Sequence, residues 1–166
     1  MNYFFFDASA LAKRYNPEIG TGHINRIFNE IRHSRLMCLM LGAAEVVSVL
    51  IRRRNGGAIS AAVCAQGVLN LQDEVVASDE FHTLEASNHL ITAALPFIDR
   101  HSLNATDTIV LRLALDLSAQ LRATGDVLVL IASDHRLLRA ALAEGLLTFD
   151  PERQTEAEVE ALLAPR

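Results

Sequence analysis

The chain has 166 residues, 51% of them apolar, with two cysteines and a formal net charge of −5. That length suits one domain with a sizeable core. The acid excess excludes nonspecific nucleic-acid binding by the whole surface, though not by a local basic strip, and no apolar run reaches the roughly 18 residues of a membrane span.

The amino terminus carries no basic n-region and no small-residue cleavage site, so no secretory leader is expected. Tyr3–Phe6 reads as a buried strand that runs straight into Asp7. A helix is expected from Ala8 to Tyr15, stopped near Asn16-Pro17. Thr21–His33 reads as a second helix and Leu36–Leu41 as a short strand. The spacing then predicts a helix over Ala43–Arg54, ended by Gly56-Gly57. Its core stripe would be Ala43, Val46, Val47, Leu50 and Ile51. Another helix is expected over Ile59–Glu74. Its stripe of Val63, Val68 and Leu71 suits core packing, with a partner-facing surface as the alternative.

Phe81–Leu84 reads as a strand, followed by helices at Ser87–His101 and Thr106–Arg122. Val127–Ala132 is the strongest strand signal in the chain. A helix over His135–Glu144, a strand at Leu146–Phe149 and a small acid-rich helix at Thr155–Leu163 complete the pattern. Cys38 and Cys64 lie in apolar surroundings without metal-type spacing, which suits buried, reduced thiols and a cytoplasmic protein. Continuous apolar strands alternating with helices predict a three-layer α/β/α fold around a parallel sheet of four or five strands.

In such a sheet, sites form outside the carboxyl ends of the strands, where strand order reverses. Asp7 follows the first strand, and Asp134 follows the strand VLVLIAS. Neighbouring strands would bring these acids close, and two close carboxylates repel unless a cation intervenes. Each acid also suits a helix N-cap, which is the simplest account of either one taken singly. Asp107, in NATDTIVLRLALDL, sits at a helix start, where an acid complements the dipole. It shares a side with Val110, Leu111 and Ala114, opposite Arg112 and Asp116. A charge on that packed side needs a cation or donors. Glu45 points away from the core stripe, sharing a face with Ser48 and Arg52. Periodicity leaves open whether that face is solvated or lines a cleft.

DASAL after the first strand, AAEVVSVLIRR after the second, TDTIVLRLAL opening a later helix and ASDHRLLRAALAEGL after the strongest strand occur in that order. Together they resemble a PIN-domain ribonuclease, specifically a VapC-type toxin of a bacterial toxin–antitoxin pair. The resemblance covers Tyr3 to Pro151. It implies a PIN-like nuclease domain over residues 1–151; the acidic tail at 152–166 lies outside the resemblance and reads as a short helix. Asp7, Glu45, Asp107 and Asp134 match the family's catalytic acidic quartet, which binds Mg²⁺ or Mn²⁺. Ser9 matches the hydroxyl residue that helps to organise the pocket. The resemblance further implies a homodimer that cuts RNA and is blocked by a cognate VapB-type antitoxin. Many relatives carry a further polar or charged residue just ahead of the third acid. Here that stretch is Asn104-Ala105-Thr106, which puts its help to the site in doubt.

The chemistry agrees with this reading. Mg²⁺ wants oxygen ligands and keeps several waters, and the chain has no Cys/His set suited to zinc. Asp7, Asp107 and Asp134 are expected to be the closest metal ligands or to position its water, with Glu45 acting through water or accepting a proton. Lys13, Arg14, Arg52 and Arg136 are the candidates to guide RNA phosphates, and Arg53 and Arg54 extend the basic run. Solvated helix ends are the plainer account of these charges. His135, beside Asp134, suits a surface position in a first helical turn. Two rival readings stand beside the nuclease. One is a non-catalytic PIN-like RNA-binding or scaffold module. The other is phosphoryl transfer through an aspartyl phosphate on Asp7, which wants a nearby lysine, and Lys13 is the sole lysine of the chain.

Overall fold

The run Asn2–Phe6 forms β1, the central strand of an all-parallel five-stranded sheet in the computed structural model, which describes residues 1–164. The other strands are β2 (Leu36–Leu39), β3 (His82–Leu84), β4 (Val127–Ile131) and β5 (Leu147–Phe149). Their order across the sheet is β3-β2-β1-β4-β5. Strand order therefore reverses between β1 and β4, where Phe6 lies opposite Ile131. The Asp7 amide continues the ladder by donating to the Ile131 carbonyl at 2.9 Å. The sheet and its flanking helices make the three-layer α/β/α fold expected from the sequence.

Side chains alternate across a strand, so a run such as Phe4-Phe5-Phe6 serves two cores at once. Phe4 and Phe6 join Leu36, Cys38, Val129 and Ile131 on one face, while Phe5 joins Met37, Leu39, Leu128 and Leu130 on the other. The first face is covered by α1 (Ala8–Tyr15), α2 (Thr21–Glu30), α3 (Met40–Asn55), α4 (Ala61–Leu71) and α8 (Glu156–Leu163). The second is covered by α5 (Asn88–His101), α6 (Ala105–Ala123) and α7 (His135–Ala143). Cys38 and Cys64 are both buried and unbridged, and burial pushes the Cys38 thiol up to about 12. Among the described residues, no helix is long and apolar enough to cross a membrane.

Several element ends differ from the sequence pattern. Helix α2 stops at Glu30, because Ile31 turns extended and a short 3₁₀ turn over His33–Arg35 leads into β2. The apolar run after Cys38 splits after Leu39, so Met40 and Leu41 open α3. Helix α4 gives way at Gln72–Val76 to a wider π turn. Its buried side is Cys64, Gly67 and Leu71, and Val63 is 44% exposed, so Val63 is not a core residue. Ile51 on α3 is likewise exposed. The acidic tail does form a helix, and it docks: Val159 enters the first core, and the Asn2 side-chain amide donates to the Leu162 carbonyl at 2.8 Å. Its capping box joins Thr155 and Glu158. Residues 165 and 166, the end of the expected tail, lie outside the described residues.

Gly67 sits where α4 passes closest to α1. A Cβ there would meet the Tyr15 carbonyl oxygen at 3.0 Å and Leu50 Cδ1 at 3.2 Å. On an open helix, Gly→Ala would stabilise by about 0.5–1 kcal/mol. Here the close approach reverses the sign. Gly67→Ala is expected to lower stability by about 1–3 kcal/mol through overpacking, read as a lower urea midpoint at unchanged slope.

Candidate functional site

The reversal of strand order opens a cleft of about 390 Å³ at the carboxyl ends of the strands, lined by Asp7, Ser9, Glu45, Ser48, Arg52, Asp107 and Asp134, with Ala8 and Val49. All four acids singled out in the sequence meet there. They arrive from four helix starts or faces: Asp7 heads α1, Asp134 heads α7, Asp107 lies in the first turn of α6, and Glu45 lies within α3. The face of α3 that periodicity left open, Glu45 with Ser48 and Arg52, is the cleft wall.

Capping and pocket-lining turn out to be compatible. Asp7 Oδ2 accepts from both the amide (2.9 Å) and the hydroxyl of Ser9. Asp134 Oδ1 accepts from the Arg136 and Leu137 amides at 2.8 and 3.1 Å. Asp107 Oδ2 accepts from the Asn104 side-chain amide at 2.8 Å. One oxygen of each carboxylate thus fixes the local turn, and the other lies outside that bond. Ser9 also couples two of the acids' loops, since its hydroxyl accepts from the Ser133 amide at 2.8 Å.

Crowding shows in the acidities. Burial, then the charges of Asp7, Asp134 and Glu45, pushes Asp107 up to about 7. Burial also raises Asp7, which is only 5% exposed, and the Asp134 charge adds to this against the Ser9 hydrogen bonds. Glu45 is raised by burial and by Asp7. Among the described residues, Arg52 is the single cation lining the cleft. Arg136 stands at its rim, its Nη2 3.9 Å from Asp134 Oδ2.

Two candidate phosphate guides are placed elsewhere. Lys13 is 2% exposed, and its ammonium is held by Glu18 at 3.0 Å and Glu152 at 2.5 Å. Arg14 pairs with Glu74 through two nitrogens, bonds Asn25, and lies 5.0 Å over the Phe28 ring. Both are cations of α1 paired with distant carboxylates, and neither lines the cleft. Arg53 pairs with Glu18 and Arg54 with its neighbour Asn55. Arg52 and Arg136 remain beside the acids. The surface position expected for His135 holds, with its ring 3.6 Å from Asp150.

The stretch ahead of Asp107 contributes more than the sequence suggested. Asn104 caps α6 by accepting from the Asp107 amide at 2.8 Å while donating to the same residue's carboxylate. The signal was present as Asn three residues before Asp, a capping spacing. Among the described residues, no three His, Cys, Asp or Glu side chains converge closely enough to hold a metal ion directly. The expected trio of Asp7, Asp107 and Asp134 is therefore not a ready-made three-ligand cage.

No family model and no curated protein matches the chain. The crystal structure of PAE2754 from Pyrobaculum aerophilum is similar, with a TM-score of 0.63 and 19% sequence identity over 99% of this chain and 100% of that one. At this identity the likeness speaks for the fold alone.

The raised carboxyl pKa values set the pH dependence of stability. Between the ordinary Asp value near 3.8 and about 7, folded Asp107 holds a proton that the unfolded chain has released. Stability contributed this way is full below that window and is lost as pH rises through it. The metal-free protein should therefore melt at a lower temperature at about pH 7.5 than at about pH 5. Asp107→Asn should flatten that slope. An identical slope in the variant would contradict the assignment.

Proposed function

We propose that this chain is a divalent-metal-dependent endoribonuclease that hydrolyses RNA phosphodiester bonds and acts as the toxin of a toxin–antitoxin pair. The observation that carries the nuclease reading is the meeting of Asp7, Glu45, Asp107 and Asp134 in one cleft with a single lining cation. The restriction to RNA, the toxin role, the homodimer, the VapB-type antitoxin and the cytoplasmic site of action rest on the resemblance of the four motifs to VapC-type proteins.

The donor set fits a hydrated Mg²⁺ or Mn²⁺. It offers carboxylate oxygens only, and it carries excess negative charge that burial makes unfavourable. Such an ion takes one or two carboxylates and completes its shell with water, so the lack of a three-ligand cage suits it. Asp7, Asp107 and Asp134 would hold it through the oxygens left outside their caps. The ion would supply Lewis acidity, easing deprotonation of water and neutralising charge on the phosphate.

The protein's own groups do the rest. Ser9 and Asn104 keep Asp7 and Asp107 from turning away. Glu45, raised by burial, is suited to accept a proton from the attacking water. Arg52 and Arg136 flank the acids, where a guanidinium can grip a phosphate. The aspartyl-phosphate reading loses its cation, since Lys13 is occupied by Glu18 and Glu152.

Asp7→Asn should reduce RNA cleavage by at least about 100-fold, beyond the usual effect of an outer-shell change, and should remove toxicity on expression. Asn104→Ala, acting through Asp107, should cost about 10-fold. Thermal unfolding of each variant separates lost chemistry from lost fold. Wild-type cleavage by Asp7→Asn would contradict the proposal. Phosphate trapped covalently on Asp7 would favour phosphoryl transfer, and RNA binding without cleavage at any Mg²⁺ or Mn²⁺ concentration would favour the non-catalytic module.

A further inference from the structure

A second cavity of about 390 Å³ lies along the outer flank of α7, lined by His135, Leu138, Arg139, Leu142, Thr148 and Asp150, with Arg153 and Gln154 closing its far end. Its α7 members fall at intervals of three and four, one face of the helix. The two cavities share the amino end of α7: Asp134 lines the acidic cleft, and His135, the next residue, lines this one.

Its chemistry contrasts with that of the cleft. Asp150 is its one acid, is buried, and is engaged by the Glu152 amide, by His135 at 3.6 Å and by Arg153 at 3.7 Å. Against it stand Arg139 and Arg153, both exposed. Several arginines of this acidic chain are tied to carboxylates, among them Arg14, Arg26, Arg53, Arg100 and Arg112. Arg32, Arg52 and Arg139 have no side-chain hydrogen bond or ion pair among the described residues. Arg32 lies apart, beside the amino terminus; Arg52 stands in the acidic cleft and Arg139 in this cavity, with Arg136 near Asp134 at the amino end of α7. The cavity also offers an apolar wall, Leu138 and the exposed Leu142. Guanidinium planes and apolar walls are what an unstacked base packs on, and guanidinium groups are what a phosphate seeks.

We propose that this cavity is a subsite for a nucleotide of single-stranded RNA flanking the bond to be cut, its phosphate held by Arg139 and Arg153 and its base against Leu138 and Leu142. The strand then runs from Arg52, across the acids, past Arg136 and along α7. The proposal rests on the nuclease reading for its substrate, and it has a separate readout. Phosphates near the acids are repelled until a cation intervenes, whereas the α7 cavity attracts them throughout. It therefore contributes to holding long strands and not to the chemical step.

The test is anisotropy titration of a labelled mixed-sequence RNA dodecamer and of a trinucleotide, using full-length Asp7→Asn protein to keep the strands intact. The Arg139→Ala/Arg153→Ala double change should weaken dodecamer binding on the order of tenfold at about 0.1 M salt, and should shrink the slope of log K against log salt by about 0.7, the value for one phosphate contact on a single strand. Trinucleotide affinity should stay the same. Arg100→Ala/Arg112→Ala, away from both cavities, serves as the charge control. Unchanged dodecamer affinity and slope would overturn the proposal, as would equal weakening of both RNAs or an equal effect of the control. So would loss of an oligoglutamate peptide in place of RNA, which would give the groove to a protein partner. If wild-type protein fails to cleave yet the dodecamer effect appears, the nuclease reading falls and the subsite stands. If it cleaves and the effect is absent, the subsite alone falls.

Discussion

The hydrogen bond from the Asp7 amide to the Ile131 carbonyl, at 2.9 Å, ties β1 to β4 where the sheet changes direction. Asp7 lies one residue beyond β1, and Asp134 three residues beyond β4. Neither carboxylate can leave the other without breaking that ladder or unwinding its own helix. Asp107 and Glu45 then arrive on α6 and α3 from the two layers on either side of the sheet. The fold thus imposes a like-charge cluster, and the raised carboxyl pKa values of Asp7, Glu45 and Asp107 are its signature.

Helix capping and metal chemistry are often weighed as alternatives for an acid after a strand. In this chain the two uses are compatible, since the local hydrogen bond takes one carboxylate oxygen and leaves the other outside it. The oxygen held by Ser9, Asn104 or the first amides of α7 orients the side chain, and the oxygen outside that bond is left for the cleft. A preorganised carboxylate loses little freedom when it takes up a cation, which is the usual purpose of groups surrounding a metal ligand. Among the described residues, no three of these side chains close around a common point. An ion that keeps most of its water suits such a frame better than one needing an all-protein cage.

Much of this was legible in the sequence, for identifiable reasons. Unbroken apolar runs such as YFFF and VLVLI can only be strands buried on both faces, and they fixed the layered fold and the shared edge of Asp7 and Asp134. The packed side of α6 correctly carried Asp107. Glu45 was undecidable because periodicity separates core from non-core, and a cleft wall looks like surface. Lys13 and Arg14 misled because nearness in sequence to Asp7 says nothing of direction. Their partners, Glu152 and Glu74, lie 139 and 60 residues away. The end of α2 and the exposure of Val63 were set by neighbouring elements and left no local mark.

The central claim is that the four acids tolerate one another because a divalent cation joins them. It is tested most directly by the anomalous difference map of a crystal soaked in Mn²⁺. The account predicts a peak in the cleft bounded by Asp7, Glu45, Asp107 and Asp134, bonded directly to one or two of these carboxylates and otherwise to water. A map with no peak in that cleft, or with manganese only at other surface acids, would contradict it.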